Sequence, residues 1–188
     1  QAFMETLAQH IRQQGGVIHL NTPISQIRSE SGNMIALQTP MGREIFDQCV
    51  ATLSPQQMVR LAPQLPQVYR DQMLALKHMG AVVILIALKR QLTKFYWHNL
   101  PKQAGFPFLA LVEHTNFMPA ENFGGDHLVY CADYLRPDHE YFEMSKKELL
   151  DIYLPSLPRF NPNFKPEWVK QTWMFRSRYA QPVPFANH

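Results

Sequence analysis

Apolar and polar residues repeat along the chain with two different periods, which predict helices and short strands. Phe3, Leu7 and Ile11 recur every four residues and define one face of an amphipathic helix. Gly15 and Gly16 follow where a helix commonly ends in a residue of positive φ. The two glycines therefore predict a helix C-terminus. A dinucleotide-binding loop is not indicated, because no strand precedes them and the spacing G-x-G-x-x-G is absent.

Short apolar runs separated by turn residues come next and predict a β-meander. Strands are expected at 17–20, 24–28, 34–39 and 44–53, with turns at 31–33 and 40–42. Ser54 followed by Pro55 then predicts the N-cap and first residue of a second helix.

The pattern changes after Pro63 and Pro66, where a helix is expected to lead into the run AVVILIAL at 81–88. This continuous apolar run predicts a strand buried on both faces. Further strands are expected at 107–115, 127–135 and 168–180. Ser145 and Glu148 form a capping box that opens a helix before the last strand. Because helices and strands do not alternate strictly, the pattern favours an α+β fold over a doubly wound sheet.

Composition and charge narrow the possible partners. The net charge is only +3 and the basic residues do not cluster, so no nucleic-acid partner is expected. No apolar run approaches the roughly 18 residues of a membrane span, and nothing in the sequence supports a membrane surface as partner. Cys49 and Cys131 lie in apolar, strand-like runs. They predict two buried free thiols in a reducing compartment, the cytoplasm.

Residues 15–55 resemble a recurring segment of the FAD-dependent amine oxidase superfamily, which includes flavin amine oxidases, protoporphyrinogen oxidases and phytoene desaturases. Besides the helix that ends in Gly-Gly, the shared pieces are TPISQI at 22–27, TPMG at 39–42 and DQCVATLSP at 47–55. From about residue 77 the sequence is similar to a subgroup of protoporphyrinogen oxidase-like, NAD(P)/FAD-dependent oxidoreductases. The resemblance covers most of the chain.

The resemblance implies FAD as cofactor and gives one residue a specific role. Ile24 is expected to meet the adenine of FAD through its main-chain N–H and C=O, and Pro23, Thr52 and Leu53 complete the expected contacts. An edge strand offers such unpaired groups at a fixed spacing and tolerates a proline. The alternative is that Ile24 is simply a core residue of the meander. Both can hold, because its side chain and its backbone point in different directions.

The resemblance also implies a division into domains. Residues 1–62 are expected to be part of an FAD-binding domain, 63–180 a substrate-binding domain, and 181–188 a tail returning towards the FAD domain. The expected architecture is a β-meander with flanking helices plus a mixed, mainly antiparallel sheet with helices. The family's N-terminal glycine-rich segment and its C-terminal flavin segment are not among these residues. The chain is therefore expected to be the middle of a flavoenzyme, inactive alone and unable to retain FAD.

Candidate substrate-binding residues occupy the end of one predicted strand. Glu113, His114 and Asn116 follow a strongly apolar run, where a carboxylate and an imidazole can perform acid–base chemistry. The alternative is an exposed strand terminus with solvated polar groups. Because neighbouring strand residues face opposite ways, Glu113 and His114 cannot share one pocket without a bend.

Aromatic and basic side chains complete the candidate set. Tyr96, Trp97 and Tyr130 can offer ring faces to a flat, apolar small-molecule substrate, or can simply cover a sheet edge. Arg176 and Arg178 alternate along the last strand and so share one face. There they can hold a substrate carboxylate, or form salt bridges.

Acidic residues and a histidine cluster near one turn without a metal-ligand spacing. These residues are Asp133, Asp138, His139, Glu140 and Glu143. A solvated turn is favoured, and no metal site is predicted. The sequence also contains no nucleophile arrangement or P-loop, so hydrolase and phosphotransfer chemistry are not expected.

The reaction implied by the resemblance is removal of a hydride from a C–N or C–C bond to flavin. The cofactor carries the difficult step in such chemistry, so no catalytic residue is named. Two alternatives remain open: a non-redox flavin enzyme resembling UDP-galactopyranose mutase, and a binding domain without catalysis.

Overall fold

The computed structural model describes residues 2–184. The chain divides into two compact units, Gln1–Leu76 and Lys77–His188. The first unit contains a three-stranded sheet and the second a five-stranded sheet, and all paired strands are antiparallel. With helices beside each sheet, the predicted α+β class is confirmed.

The first helix, α1 (Ala2–Gln13), ends in a Schellman motif. The N–H of Gly16 donates to the C=O of Ile11 at 2.9 Å, and that of Gly15 donates to Arg12 at 3.0 Å. Gly15 has a φ of 84°, which disfavours any side chain. A Cβ on Gly16 would lie 2.9 Å from the Ile11 oxygen. Both glycines are thus required by the helix end, as the sequence predicts.

Three strands follow as a meander: β1 (Gln26–Ser29), β2 (Ile35–Thr39) and β3 (Gly42–Phe46). The strand predicted at 17–20 is wrong, and the one predicted at 44–53 ends at residue 46. Neither surplus segment pairs with another strand within the described residues. Apolar composition alone does not make a strand, because the ladder needs a partner.

Two helices complete the first unit. Helix α2 (Pro55–Leu61) begins at the predicted N-cap Ser54, whose hydroxyl accepts the N–H of Gln57 at 3.4 Å. Helix α3 (Gln67–Ala75) follows and belongs to the same compact unit. The geometric division of the chain therefore falls after Leu76, whereas the domain boundary predicted from the sequence falls after residue 62.

The core of the first unit is small. Ile27, Leu61 and Ala62 are buried at its centre. Many large apolar side chains of this unit remain exposed, and Val50 is 89% exposed. Apolar surface of this extent usually contacts another polypeptide or a ligand.

The sheet of the second unit has the order β5-β6-β7-β4-β8. Its strands are β4 (His78–Leu88), β5 (Trp97–Asn99), β6 (Ala110–Glu113), β7 (His127–Leu135) and β8 (Val169–Pro182). The short strand β5 was not expected from the sequence. β8 includes the first two residues of the predicted tail, and residues 185–188 lie outside the described part of the chain.

Within the described chain, a helical layer packs against only one face of this sheet. Helix α4 (Lys146–Tyr153) begins at the predicted capping box, in which the Ser145 hydroxyl accepts the N–H of Glu148 at 3.3 Å. Its Leu149 and Tyr153 are fully buried against the sheet. None of the helices between residues 2 and 184 is long and apolar enough to cross a membrane.

The central strand β4 shows the consequence of this one-sided cover. Val82, Ile84 and Ile86 are fully buried, whereas Val83 and Leu85 between them are only half-buried. The prediction that this strand is buried on both faces is therefore wrong. One face packs against the α4 layer, and the other is partly open to solvent.

Candidate functional site

A groove in the first unit brings together the four predicted cofactor-binding residues. It has a volume of about 470 Å³ and lies between the segment after α1, the meander, the segment after β3, and α2. Pro23 and Ile24 contribute one wall, and Thr52 and Leu53 contribute another. The other lining residues are Thr22, Ile27, Leu37, Cys49, Val50, Ala51, Gln57, Arg60 and Leu61. Cys49, Gln57 and Arg60 also line the groove but are not predicted as binding residues from the sequence, although Cys49 lies within the DQCVATLSP match.

The side chain and main chain of Ile24 have separate surroundings. The half-buried side chain packs against the small core around Ile27 and Leu61. Within residues 2–184, neither the main-chain N–H nor the C=O of Ile24 has a hydrogen-bond partner. The next residue, Ser25, does donate its N–H to Gln38, at 2.9 Å. The meander thus fixes the backbone and leaves one donor and one acceptor of Ile24 available.

The groove suits a flat heteroaromatic ring. Its apolar lining, which includes Ile24, Leu37 and Leu53, can contact the faces of such a ring. The free main-chain groups of Ile24 can pair with the donor and acceptor on its edge. These features fit the adenine of FAD, while contact with FAD itself stays a prediction for Pro23, Ile24, Thr52 and Leu53.

The half-buried face of the five-stranded sheet is the second candidate site, and it is called the open face below. Strand register places a row across all five strands: Trp97, Val112, Tyr130, Leu85 and Trp173. A parallel row consists of Asn99, Ala110, Ala132, Val83 and Phe175. Shorter rows add Tyr134, Ala81 and Ser177, and Leu128, Ala87 and Gln171. The open face is therefore mainly apolar and aromatic.

Aromatic rings gather beside one end of this face. The ring of Tyr96 lies 5.5 Å from that of Phe117 and 6.4 Å from that of Trp97. The His114 ring lies 6.0 Å from that of Tyr130 and 5.5 Å from that of Phe123. The structure thus gathers the predicted residues Tyr96, Trp97, His114 and Tyr130 on or beside the open face.

Glu113 points to the opposite face and is fully buried. Its carboxylate accepts the N–H of Leu92 at 3.0 Å and that of Thr93 at 2.6 Å. Nδ1 of His127 lies 3.7 Å from Oε1. Burial raises the pKa of Glu113, and the two backbone donors oppose that rise. Glu113 therefore anchors the loop after β4 and lies on the other face from Tyr130.

Asn116 binds the same loop. Its Nδ2 donates to the C=O of Thr93 at 2.9 Å and of Phe95 at 3.0 Å, and its Oδ1 accepts from Gln91 at 2.5 Å. These bonds position the loop that carries Tyr96. Substrate contact by Glu113 and Asn116 stays a prediction, and both side chains have a structural partner.

Arg176 and Arg178 share a face, as expected, but it is the face covered by α4. Arg176 lies opposite Val82 in the register and donates to the C=O of Met144 at 2.9 Å. Arg178 donates to the C=O of Pro137 and forms an ion pair with Glu143. The ion pair of Arg178 matches the salt-bridge alternative, whereas Arg176 donates only to a backbone carbonyl within the described chain, and a role of either residue in substrate binding stays a prediction.

The acidic turn beyond β7 is held by local contacts. Asp138 pairs with Arg136 at 3.0 Å, and Glu143 pairs with Arg178. Burial raises the pKa of Asp133, which lies on the covered face opposite Val82. Among the described residues, no group of three or more His, Cys, Asp or Glu side chains is arranged to hold a metal ion.

The sequence profile of the flavin-containing amine oxidoreductases matches residues 1–187. The chain belongs to this family. The resemblance predicted from residues 15–55 and from the second half of the chain is thereby confirmed. No curated protein matches the sequence.

Solved structures show the same fold. A provisionally assigned protoporphyrinogen oxidase from Exiguobacterium sp. 255-15 is 18% identical, with a TM-score of 0.73 over 96% of this chain and 40% of that protein. An oxidoreductase from Methanosarcina mazei is 17% identical, with a TM-score of 0.72 over 93% and 42%. A reduced UDP-galactopyranose mutase is 16% identical, with a TM-score of 0.65 over 87% and 35%. The chain thus spans 35–42% of the length of these proteins, and the similarity concerns the fold.

The two cysteines of this family member differ sharply in accessibility. Cys131 is fully buried in β7, as predicted, and burial raises the pKa of its thiol. Cys49 was also predicted to be buried, but it is exposed on the rim of the groove because its segment forms no strand.

We therefore expect iodoacetamide to modify Cys49 rapidly and Cys131 only after unfolding, since the thiolate is the reactive form. Peptide mass spectrometry after timed labelling checks this, and a sample in denaturant provides the control in which both thiols react. Labelling of Cys131 at the rate of Cys49 in the folded chain would contradict the structure.

Proposed function

We propose that the chain contributes the adenine site and the substrate-binding sheet of an FAD-dependent oxidoreductase that removes a hydride from a C–N or C–C bond. Membership of a flavin-containing family supports the cofactor class. The observation that carries the proposal is the groove, in which Pro23, Ile24, Thr52 and Leu53 line one cavity of about 470 Å³.

The main chain of Ile24 gives the proposed site its specificity. The N–H donor and the C=O acceptor of this one residue match an acceptor and a donor on the edge of adenine, and the meander holds the backbone in place without using either group. A side-chain readout is not required, so many residue types would serve at position 24. Arg60 on α2 is the positively charged side chain of the groove, and it can favour an anionic nucleotide there.

The second unit is proposed to bind and orient the substrate. When bound, flavin supplies the hydride acceptor. The open face contributes apolar contact and excludes water. Asn116 and Glu113 hold the loop that carries Tyr96, so their role in this proposal is positioning.

The proposal is tested by removing the main-chain donor at position 24. The substitutions are made in the full-length natural protein that contains this chain. Ile24→Pro removes the main-chain N–H, whereas Ile24→Ala keeps the N–H and shortens the side chain. Loss of one hydrogen bond of about 1.4 kcal/mol predicts roughly tenfold weaker FAD binding for Ile24→Pro. A much smaller change is expected for Ile24→Ala. Flavin content and isothermal titration with FAD measure both, and thermal unfolding verifies that each variant folds.

The thiol of Cys49 provides a second readout of the same site. Saturating FAD is expected to slow its alkylation in that polypeptide, because the thiol lies on the groove rim. The proposal would be overturned if the polypeptide binds no FAD. It would also be overturned if FAD binds with the same affinity to wild type and both Ile24 variants and does not slow the labelling of Cys49. The 188-residue chain alone is expected to retain no stoichiometric FAD.

A further inference from the structure

We infer that one end of the five-stranded sheet is a docking surface for an anionic lipid membrane. The surface consists of the connection 89–96 and the turn 114–118, and it is called the aromatic tip below. The inference concerns attachment to the surface of a membrane without crossing it. It stands independently of the proposed function.

The two segments of the aromatic tip leave the sheet side by side. The connection follows the last residue of β4, Leu88, and the turn follows the last residue of β6, Glu113. Leu88 pairs with His127 and Glu113 pairs with Val129, so both strands end beside the start of β7. Because the two segments are far apart in the sequence, the sequence alone does not indicate a membrane partner.

This end of the sheet lies away from the points where the chain enters and leaves it. His78, the first residue of β4, pairs with Pro182, the last residue of β8, at the opposite end. The 11 residues of β4 separate the two ends by roughly 30 Å, at about 3.3 Å per residue. The aromatic tip is therefore remote from these two connections, where an external surface can reach it.

Large apolar side chains project into solvent from the aromatic tip. Phe95 is 67% exposed and Phe117 is 70% exposed. Met118 is also exposed, and the ring of Tyr96 lies 5.5 Å from that of Phe117. Single exposed apolar residues are common, but a cluster of them marks an interaction site. Phenylalanine and methionine gain free energy in an acyl phase, and tyrosine is enriched at the membrane interface.

Hydrogen bonds fix the backbone beneath these side chains. Buried Glu113 accepts the N–H groups of Leu92 and Thr93. Asn116 donates to the C=O groups of Thr93 and Phe95 and so joins the two segments of the tip. Because the backbone is already ordered, the exposed rings can enter a membrane without the entropic cost of ordering a loop.

Basic residues accompany the apolar side chains. Lys89, Arg90 and Lys94 lie in the connection, and all three are exposed. Neither lysine forms an ion pair within the described chain. The only acidic residue between positions 89 and 118 is Glu113, which is fully buried. The aromatic tip therefore presents positive charge that no neighbouring carboxylate in these two segments neutralises.

Charges in the remaining connections at this end of the sheet do not reverse the sign. Glu121, Asp126 and Glu167 are acidic, whereas Lys165 and Lys170 are basic. Lys170 forms an ion pair with Asp126. With the three basic residues of the aromatic tip, this end carries five positive and three negative charges, a net charge of +2.

An anionic membrane supplies partners for both kinds of side chain at once. Its acyl region receives the apolar rings, and its headgroups attract the lysines, whose alkyl chains lie along the interface. A polyanion such as RNA would engage the basic residues and leave Phe117 and Met118 in water. A second copy of the chain fits less well, because the same positive charges would face one another.

The test measures co-sedimentation of the full-length natural protein with lipid vesicles. Vesicles of mixed phosphatidylcholine and phosphatidylserine are compared with vesicles of phosphatidylcholine alone at equal total lipid. Binding is expected to be saturable and stronger on the mixed vesicles. Added salt should weaken it, because salt screens the attraction between the lysines and the headgroups. Thermal unfolding verifies that each variant folds.

One pair of variants tests the apolar contribution. Phe117→Ser removes an exposed ring and is expected to weaken binding to the mixed vesicles on the order of tenfold. Phe95→Ser should act in the same direction. Tyr134→Ser is the matched control, because Tyr134 is a half-exposed aromatic residue that pairs with Ala81 towards the opposite end of the sheet. It should leave binding unchanged.

A second pair tests the electrostatic contribution. Lys94→Gln removes one positive charge from the aromatic tip and is expected to weaken binding to the mixed vesicles roughly fivefold. Lys147→Gln removes one positive charge from the exposed side of α4, where Lys147 pairs with Asp151, and should leave binding unchanged.

Three results would overturn the inference. The first is the absence of binding to mixed vesicles, or binding that Phe117→Ser and Lys94→Gln both leave unchanged. The second is binding that Lys94→Gln weakens but neither phenylalanine variant affects, which would indicate a site for a polyanion such as RNA. The third is a dimer that Phe117→Ser dissociates, which would assign the aromatic tip to a second copy of the protein.

Discussion

Replacing Glu113 with alanine is expected to lower the free energy of unfolding by roughly 3–5 kcal/mol. The substitution removes the acceptor of two backbone N–H groups, those of Leu92 and Thr93, in a site from which water is excluded. Unsatisfied buried donors cost more than the hydrogen bonds contribute on average. Urea unfolding followed by circular dichroism measures the change.

Glu113 is also expected to make the free energy of unfolding depend on pH. Burial raises the pKa of Glu113 above its ordinary value of 4.5, so the folded state holds the proton more tightly than the unfolded chain. The stabilisation that the folded state gains by holding this proton is fully present below pH 4.5, and it is lost as the pH rises through the raised pKa of Glu113. Glu113→Gln keeps the shape and cannot titrate.

We therefore expect the unfolding free energy of wild type, relative to Glu113→Gln, to be greatest at acidic pH and to decline towards neutrality. A difference that is constant with pH, or a cost below about 1 kcal/mol for Glu113→Ala, would show that the carboxylate is not a buried anchor.

Gly80→Val is the second substitution with a large expected effect, a loss of about 3 kcal/mol or more in unfolding free energy. A Cβ at this position would clash with the ring of Phe142 and would lie 2.8 Å from the backbone oxygen of Ser177. The ring can rotate away, but the oxygen belongs to the neighbouring strand and can move only with β8. The two branches of valine increase the overlap.

Ala81→Val provides the matched control on the same strand. Ala81 is half-buried and lies on the open face, where an added methyl group meets less resistance. Its unfolding free energy should change by less than about 1 kcal/mol, and thermal unfolding of both variants measures the contrast. Equal stability of Gly80→Val and wild type would contradict the close packing of β4 against β8.

Local patterns predicted most of the helix ends. The capping box at Ser145 and Glu148, the N-cap Ser54 and the glycine stop after α1 all act through residues within four positions of one another. These interactions involve residues that are close together in the sequence, so they can be predicted without knowing the fold. The hairpin turn at 40–42 belongs to the same class.

The predictions of strands and side-chain environments were wrong where they depend on contacts with residues far away in the sequence. Residues 17–20 have strand-like composition but no neighbouring strand in the described chain, and Trp97–Asn99 form a strand only because β6 pairs with them. The environment of Glu113 depends on a loop about twenty residues earlier in the chain. The face of the sheet on which Arg176 lies likewise follows from the pairing of Arg176 with Val82, which the sequence alone does not reveal.

The candidate groove was predictable only through the family resemblance. Pro23 and Ile24 are separated in sequence from Thr52 and Leu53 by the whole meander, and no spacing rule links them. The resemblance placed all four near one cofactor, and the structure places them in one cavity. Cys49 was misjudged because apolar neighbours suggested burial, whereas its segment lacks a strand to bury it.

The position of β4 at the centre of its sheet has a consequence for biosynthesis. Its hydrogen-bonding partners are β7 and β8, and β8 is the last strand of the described chain. The run AVVILIAL therefore leaves the ribosome long before either neighbour exists, and its pairing must wait for sequence-distant contacts that form slowly. During that interval the nascent chain presents an apolar, β-prone segment to the cell. Chaperone dependence and sensitivity to C-terminal truncation are the expected costs of this topology.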